Sequence, residues 1–277
     1  VRNPMNAHQV SKIDITPEVV DCIVFWTKNP EPMLNRLDEL SSYDYYFQFT
    51  LTGYGKDMEC NVPHKKEKMI PIFQELSKKI GMKKVIWRYD PIILSDYSNY
   101  EEHLRLFEKI SSMLENKTDK VVISFADLYK KITNNLTNIG YKDILDNKKE
   151  LYFFCEQLSN IAKSRKMQIE TCTEEIDLGI FGINPTKCID DKLIDRLFNK
   201  NLGLSKDKNQ RKECDCVESV DIGMYNTCSH GCVYCYATFS DSTVKKNKLL
   251  HNPNSPLLVG KFEDLDEEIK NKLNLHF

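Results

Sequence analysis

No stretch of this sequence approaches the roughly 18 consecutive apolar residues that a membrane-spanning helix needs. Residues 1 to 20 also lack the charged-then-apolar pattern of an export signal. The chain therefore reads as soluble and cytoplasmic. A surplus of charge is missing too: 39 basic residues stand against 41 acidic ones, so composition gives no electrostatic reason to expect a polyanion, and a nucleic-acid partner is not indicated. No internal repeat or low-complexity tract is evident. The six histidines show no H-x3-H or HExxH pairing, which removes the usual helical zinc-hydrolase signatures. The chain begins at Val1 without a methionine, and "VRNPMN" opens as if in mid-structure, so a preceding segment is expected.

What is present is a chain of 277 residues with alternating β-rich and helical runs. The length suits one α/β barrel domain over 1–277, with the main β/α repeats in 1–200 and a cysteine-rich segment and C-terminal cover in 201–277. The runs at 21–27, 45–52, 84–90, 120–126, 167–172 and 218–223 read as strands. Met69, Ile72, Phe73, Leu76 and Ile80 form one helical face. Leu151, Phe154, Cys155, Leu158, Ile161 and Ala162 form another, and helices are expected near 30–41 and 99–115. Repeated β-then-α units imply a parallel sheet. Gln48 and Thr50, Arg88 and Asp90, Ser124, Glu170 and Cys172, and Asp221 all fall on one strand face. A face so polar suggests a barrel interior shaped into a pocket, with its site at the C-terminal strand ends. The competing reading is that these polar side chains merely satisfy one another.

Ten cysteines in a chain without an export signal point to metal before disulfides. Cys228, Cys232 and Cys235 have C-x3-C-x2-C spacing and follow the run at 218–223. Zinc would want a fourth ligand, for which Cys214, Cys216, His230 and His251 are candidates. A [4Fe-4S] cluster held by three thiolates leaves one iron open to an outside ligand. Cys172, Cys188, Cys214 and Cys216 are candidates for a second site, an auxiliary iron-sulfur cluster or a zinc ion; the bland alternative is small buried hydrophobes. Cys22, Cys60 and Cys155 read as packing or incidental. Glu170, Glu174, Asp90 and Asp221 are acid-base candidates. "HNPNSPLL" at 251–258 is expected to form a rigid loop that closes over the pocket or covers the barrel end.

"CSHGCVYC" resembles the radical S-adenosylmethionine signature C-x3-C-x-aromatic-C, with Tyr234 in the aromatic place. The resemblance implies that Cys228, Cys232 and Cys235 ligate a [4Fe-4S] cluster whose open iron binds S-adenosylmethionine, with Tyr234 near the adenine. It further implies reductive cleavage to a 5'-deoxyadenosyl radical, hydrogen abstraction from an unknown substrate, and a reductant such as flavodoxin or ferredoxin. That superfamily carries its motif after the first barrel strand. Here it comes late, so the expected fold is a (β/α) barrel permuted to put the cluster-binding strand last. Over nearly its whole length the chain also resembles the bacterial domain-of-unknown-function family 1848, through "VRNPMN", "FWTKNP", "FTLTGYG", "WRYDP" and "DIGMYNTC". Members of that family begin with a strand containing Ser-Arg-Arg-Thr-Asp, which this sequence lacks. No Gly-Gly-Glu element is evident, and Lys28, Asn29, Thr52 and Arg88 stand in as candidate cofactor contacts. Two other classes stay open on the residues alone: an iron-sulfur electron carrier or sensor, and a zinc-stabilised binding protein.

Overall fold

A computed structural model describes residues 1, 3, 9–126, 132–265 and 267–272. Most of "VRNPMN", together with His8 and His276, lies outside these. Six strands form one parallel sheet in sequence order: β1 (Ile23–Thr27), β2 (Tyr45–Thr50), β3 (Val85–Ile92), β4 (Lys120–Phe125), β5 (Gln168–Thr171) and β6 (Asn184–Pro185). Five of the six expected strands are present. The sheet is not closed: β1 and β6 are its edges, so the barrel expected from the sequence is an open parallel sheet among the described residues. Among those residues no helix is long and apolar enough to cross a membrane.

The register explains why the two faces differ. Phe47 aligns with Val85, Phe49 with Trp87, and Trp87 with Val121, so a continuous apolar layer runs across one face. Against it pack α1 (Ile70–Ile80), α2 (Tyr100–Met113) and α4 (Lys148–Ser164). Each of these helices turns an i, i+3, i+4 stripe toward the sheet. Asn99 caps α2 and Asn147 caps α4, each accepting from the backbone N–H three residues on. Phe73 is fully buried and lies 4.9 Å from the Phe49 ring. His103 is buried in α2, held between the Tyr89 hydroxyl and the Ile93 carbonyl, and burial lowers it to about 4. It is a satisfied core histidine.

The opposite face is polar, as the strand alternation implies, but it is covered. Helix α5 (Asp191–Phe198) lays Leu193 and Ile194 onto Tyr46, Ile86 and Val122. Asp190 caps it by accepting from Leu193 N at 3.1 Å. Most of the face's polar side chains pair locally. Arg88 pairs with Asp90 and Lys120 with Glu170, and Gln48 donates to the Cys188 carbonyl at 2.9 Å.

Two expected elements differ. Residues 30–41 form two 3-10 turns, Glu31–Met33 and Leu37–Leu40, rather than one helix. Pro30 precedes the first turn and Pro32 sits inside it, and neither supplies a backbone N–H, while Leu34 and Leu37 keep their burial at the three-residue period that a 3-10 turn also satisfies. Residues 218–223 form no strand. Val220 and Ile222 are 62% and 44% exposed, so the alternation there has no buried face to serve, and the permuted last strand is not present among the described residues. The remaining helices are α3 (Thr133–Asn138), α6 (Asp241–Leu250) and α7 (Glu267–Lys272).

Because Phe73 joins α1 to the sheet, Phe73→Ala is expected to cost about 3–5 kcal/mol. Urea denaturation should show a lower midpoint at unchanged slope; a loss well under 1 kcal/mol would place the core elsewhere.

Candidate functional site

Lys28 follows β1 directly, and Thr52 lies two residues beyond β2. Both therefore stand at the C-terminal end of the sheet. The segment after β2 folds back and delivers Glu59 between them, 1% exposed. An isolated carboxylate there would be costly, and it is not isolated. Its Oε1 accepts from Lys28 Nζ at 2.8 Å, from Thr52 Oγ1 at 2.8 Å and from the Tyr234 hydroxyl, while Oε2 pairs with Lys65. Burial by itself would raise Glu59, but Lys28 and Lys65 outweigh it and hold the carboxyl down at about 2. Burial lowers Lys65 in turn, against the pull of Glu59. Two lysines facing one carboxylate leave this buried corner with an excess positive charge.

The cysteine loop docks on the same segment. Val233 N donates to Met58 O at 3.0 Å and Asn61 N to His230 O at 3.0 Å, an antiparallel bridge centred on Glu59 and Cys232. Asn226 N donates to Ala237 O at 2.9 Å and closes the loop at its base. Gly231 has φ +65°, and a Cβ there would lie 2.5 Å from the Cys60 sulfur, so both backbone sign and space demand glycine. Tyr234 is buried beside Tyr54, Met58 and Ile93, with its hydroxyl also accepting from Lys28 at 2.9 Å. It anchors the loop. Helix α6 braces the outside, where Asn247 donates to Asn226 O at 3.0 Å and Lys248 to Ser229 Oγ at 2.9 Å. A cleft of about 260 Å³ lies between them, lined by Thr227, Lys248, His251, Leu258 and Val259. The 251–258 loop thus abuts the cysteine loop.

All ten cysteines are free. Cys228 is exposed, and Cys232 and Cys235 are half-buried. Burial pushes Cys232 up to about 12 and raises Cys228, while Lys28 pulls both down. Among the described residues no group of three or more His, Cys, Asp or Glu side chains stands ready to hold a metal ion.

The remaining candidates separate into distinct places. Arg88 donates through Nε to Asp90 at 2.9 Å and through Nη1 to Cys188 Sγ at 3.1 Å, and its guanidinium lies 4.5 Å from the Trp26 ring centroid. Glu170 pairs with Lys120 and accepts from Gln168 at 2.6 Å. Glu174 accepts from the Phe125 N–H at 2.7 Å. Asn29 caps the turn that follows it, accepting from Glu31 N at 3.1 Å. Asp221 is exposed and accepts from Gly223 N at 2.7 Å. Of the residues singled out from sequence, Lys28, Thr52 and Tyr234 share one network, and Arg88 and Asp90 another. Asn29 and Asp221 serve local turns. Glu59 and Lys65 were not legible in the sequence, because no spacing rule marks a lone acid in a loop. Cys60 proves to touch the cysteine loop, its thiol donating to the Gly231 carbonyl at 3.5 Å.

The four other cysteines also converge. Cys172 and Cys188 have their sulfurs 2.8 Å apart, and Cys216 Sγ accepts from the backbone N–H groups of Cys188 at 3.2 Å and Ile189 at 3.4 Å. Cys172 and Cys188 share a hydrogen bond, Cys214 packs against the same cluster, and among these thiols Cys172 and Cys216 are lowered while Cys188 is raised.

Glu59 is depressed in the folded state, so its stabilisation is present above its unfolded value near 4.5 and is lost as pH falls toward about 2. Glu59→Gln should therefore destabilise the protein at pH 7 by roughly 3 kcal/mol. In urea titrations at a series of pH values the gap to the unsubstituted protein should narrow as pH drops from about 4.5 to about 2; a gap that ignores pH would contradict the ionised, lysine-paired carboxylate.

No curated protein and no solved structure matches the chain. A family model does: the one described as "Domain of unknown function (DUF1848)" matches residues 1–237, a span that takes in the whole sheet, the Glu59 network and the cysteine triplet. On that match the chain belongs to the DUF1848 family.

Proposed function

We propose that this protein is a radical S-adenosylmethionine-type iron-sulfur enzyme in which Cys228, Cys232 and Cys235 are the protein ligands of a [4Fe-4S] cluster. The observation that carries this reading is the placement of three free thiols on one loop, docked at the C-terminal ends of β1 and β2 beside a buried corner of excess positive charge. The donor set fits: it consists of soft thiols, which suit iron-sulfur clusters. Three are offered on the loop, and Cys60 turns its thiol to the Gly231 carbonyl instead. When bound and reduced, such a cluster supplies the electron that cleaves S-adenosylmethionine to a 5'-deoxyadenosyl radical, which takes a hydrogen atom from an unidentified substrate.

The chain's own residues do the rest. Lys28 and Lys65 offset the negative charge of neighbouring thiolates, and Lys28 already pulls the Cys232 and Cys228 thiols down. Tyr234 fixes the loop by burial rather than by reaching outward. Lys28 and Thr52 are the proposed cofactor contacts held on Glu59, and Lys28 also reaches Tyr234 of the loop. Arg88 and Asp90 lie on the inner face, where a forked guanidinium suits carboxylate binding. Asp90 and Glu170 are the proposed groups for handling a substrate proton; Asp90 is ion-paired with Arg88 and Glu170 with Lys120. A one-electron donor such as a flavodoxin or ferredoxin is the partner this chemistry calls for.

Anaerobic reconstitution with iron and sulfide should give a brown protein whose reduced paramagnetic resonance spectrum changes on adding S-adenosylmethionine, with 5'-deoxyadenosine released. Cys232→Ala should abolish both signals. A reduced spectrum indifferent to S-adenosylmethionine would leave an electron carrier instead, and a colourless protein that takes up only zinc would reject the cluster.

A further inference from the structure

We infer that Cys172, Cys188, Cys214 and Cys216 form a second metal centre, which takes a single soft divalent ion such as zinc in a four-thiolate shell. It uses none of the triplet's ligands, and it shares only Arg88 with the reading given to them. The four residues come from separate stretches: the end of β5, the turn before α5, and the strand-like return after it that bridges Lys206 to Val217. Folding brings all four into one side-chain cluster, in which the Cys172 and Cys188 sulfurs lie 2.8 Å apart.

What distinguishes this group from small buried hydrophobes is the donors aimed at it. Two backbone N–H groups reach Cys216 Sγ at 3.2 and 3.4 Å, Arg88 Nη1 reaches Cys188 Sγ at 3.1 Å, and the Thr173 hydroxyl lies 3.1 Å from Cys172 Sγ. A neutral thiol is a weak acceptor. A metal-bound thiolate needs such partners, which orient it and tune its basicity. Four thiolates around a divalent ion carry two net negative charges, and Arg88, 2% exposed and also paired with Asp90, sets one guanidinium N–H against the Cys188 sulfur. Cys155, by contrast, packs among apolar side chains on α4, and burial raises its thiol to about 12.

Distance selects the kind of metal. Four sulfurs bonded at about 2.3 Å to one tetrahedral ion stand ~3.8 Å apart. The Cys172 and Cys188 sulfurs, at 2.8 Å, are about 1 Å inside that spacing and well outside the ~2.05 Å of a disulfide. Taking up a single ion requires these two sulfurs to part by about 1 Å. An iron-sulfur cube, with a ligand on each corner, demands a much wider separation.

The test uses the full chain carrying Cys228→Ala, Cys232→Ala and Cys235→Ala, so that the triplet contributes nothing, kept reduced with a phosphine under anaerobic conditions. Titration with cobalt(II) should develop the visible bands of a tetrahedral tetrathiolate at one ion per chain, and zinc should displace them. Cys214→Ser, at the half-exposed end of the group, should weaken cobalt binding by more than the roughly 10- to 100-fold that loss of a ligand's hydrogen-bond partner costs. Cys155→Ser should leave it unchanged. Absence of the bands, bands that survive both Cys214→Ser and Cys188→Ser, or assembly of an iron-sulfur cluster at these four residues in place of the single ion would overturn the inference.

Discussion

The buried Glu59 carboxylate is the constraint on which the arrangement around the cysteine loop depends. A charge at 1% exposure persists only if partners replace the water it has lost, and here those partners come from four places in the sequence. Lys28 is the first residue after β1, Thr52 lies just beyond β2, Lys65 begins the turn into α1, and Tyr234 is 175 positions away. Removing one leaves the others with an uncompensated charge, so the set is mutually conditional. The cysteine loop has little regular structure of its own. Its position against the sheet is set by the antiparallel bonds to Met58–Asn61 and by the Tyr234 hydroxyl on Glu59.

Beneath that corner the sheet separates two chemistries. Parallel strands in sequence order, joined by helices on one side, leave the other side for whatever the strands carry there. The apolar side chains of β2, β3 and β4 meet α1, α2 and α4 on the outer face. On the inner face Arg88, Lys120, Gln48 and Glu170 meet α5 and the cysteine-bearing segment. The polar strand face therefore follows the second reading: beneath α5 its residues satisfy one another, with the Arg88 guanidinium set against the Cys188 sulfur.

The outer half of the fold was legible because burial imposes a period on the sequence. Strands β1 to β5 and helices α1, α2 and α4 lie where alternation and the i, i+3, i+4 stripes place them. The failures share a cause. At 218–223 the alternation of Val220 and Ile222 is real but has no neighbouring strand, and β6, at Asn184–Pro185, is too short to leave a pattern. At 30–41 two 3-10 turns satisfy the apolar spacing in place of one helix, the first of them containing Pro32. The candidate site divides likewise: Lys28, Thr52 and Tyr234 were marked by their places at strand ends and in the cysteine motif, whereas Glu59 and Lys65 sit in a loop whose composition looks like solvated surface.

The sequence by itself determined strands β1 to β5, helices α1, α2 and α4, the split between an apolar and a polar sheet face, and the grouping of Cys228, Cys232 and Cys235, because each of these is a matter of local spacing. Tertiary structure alone decided that the sheet of the described residues stays open, that α5 covers its inner face, that Glu59 binds the strand ends to the cysteine loop, and that Cys172, Cys188, Cys214 and Cys216 meet. Those outcomes depend on which distant groups can neutralise, satisfy or bury one another, and no periodicity along the chain encodes that.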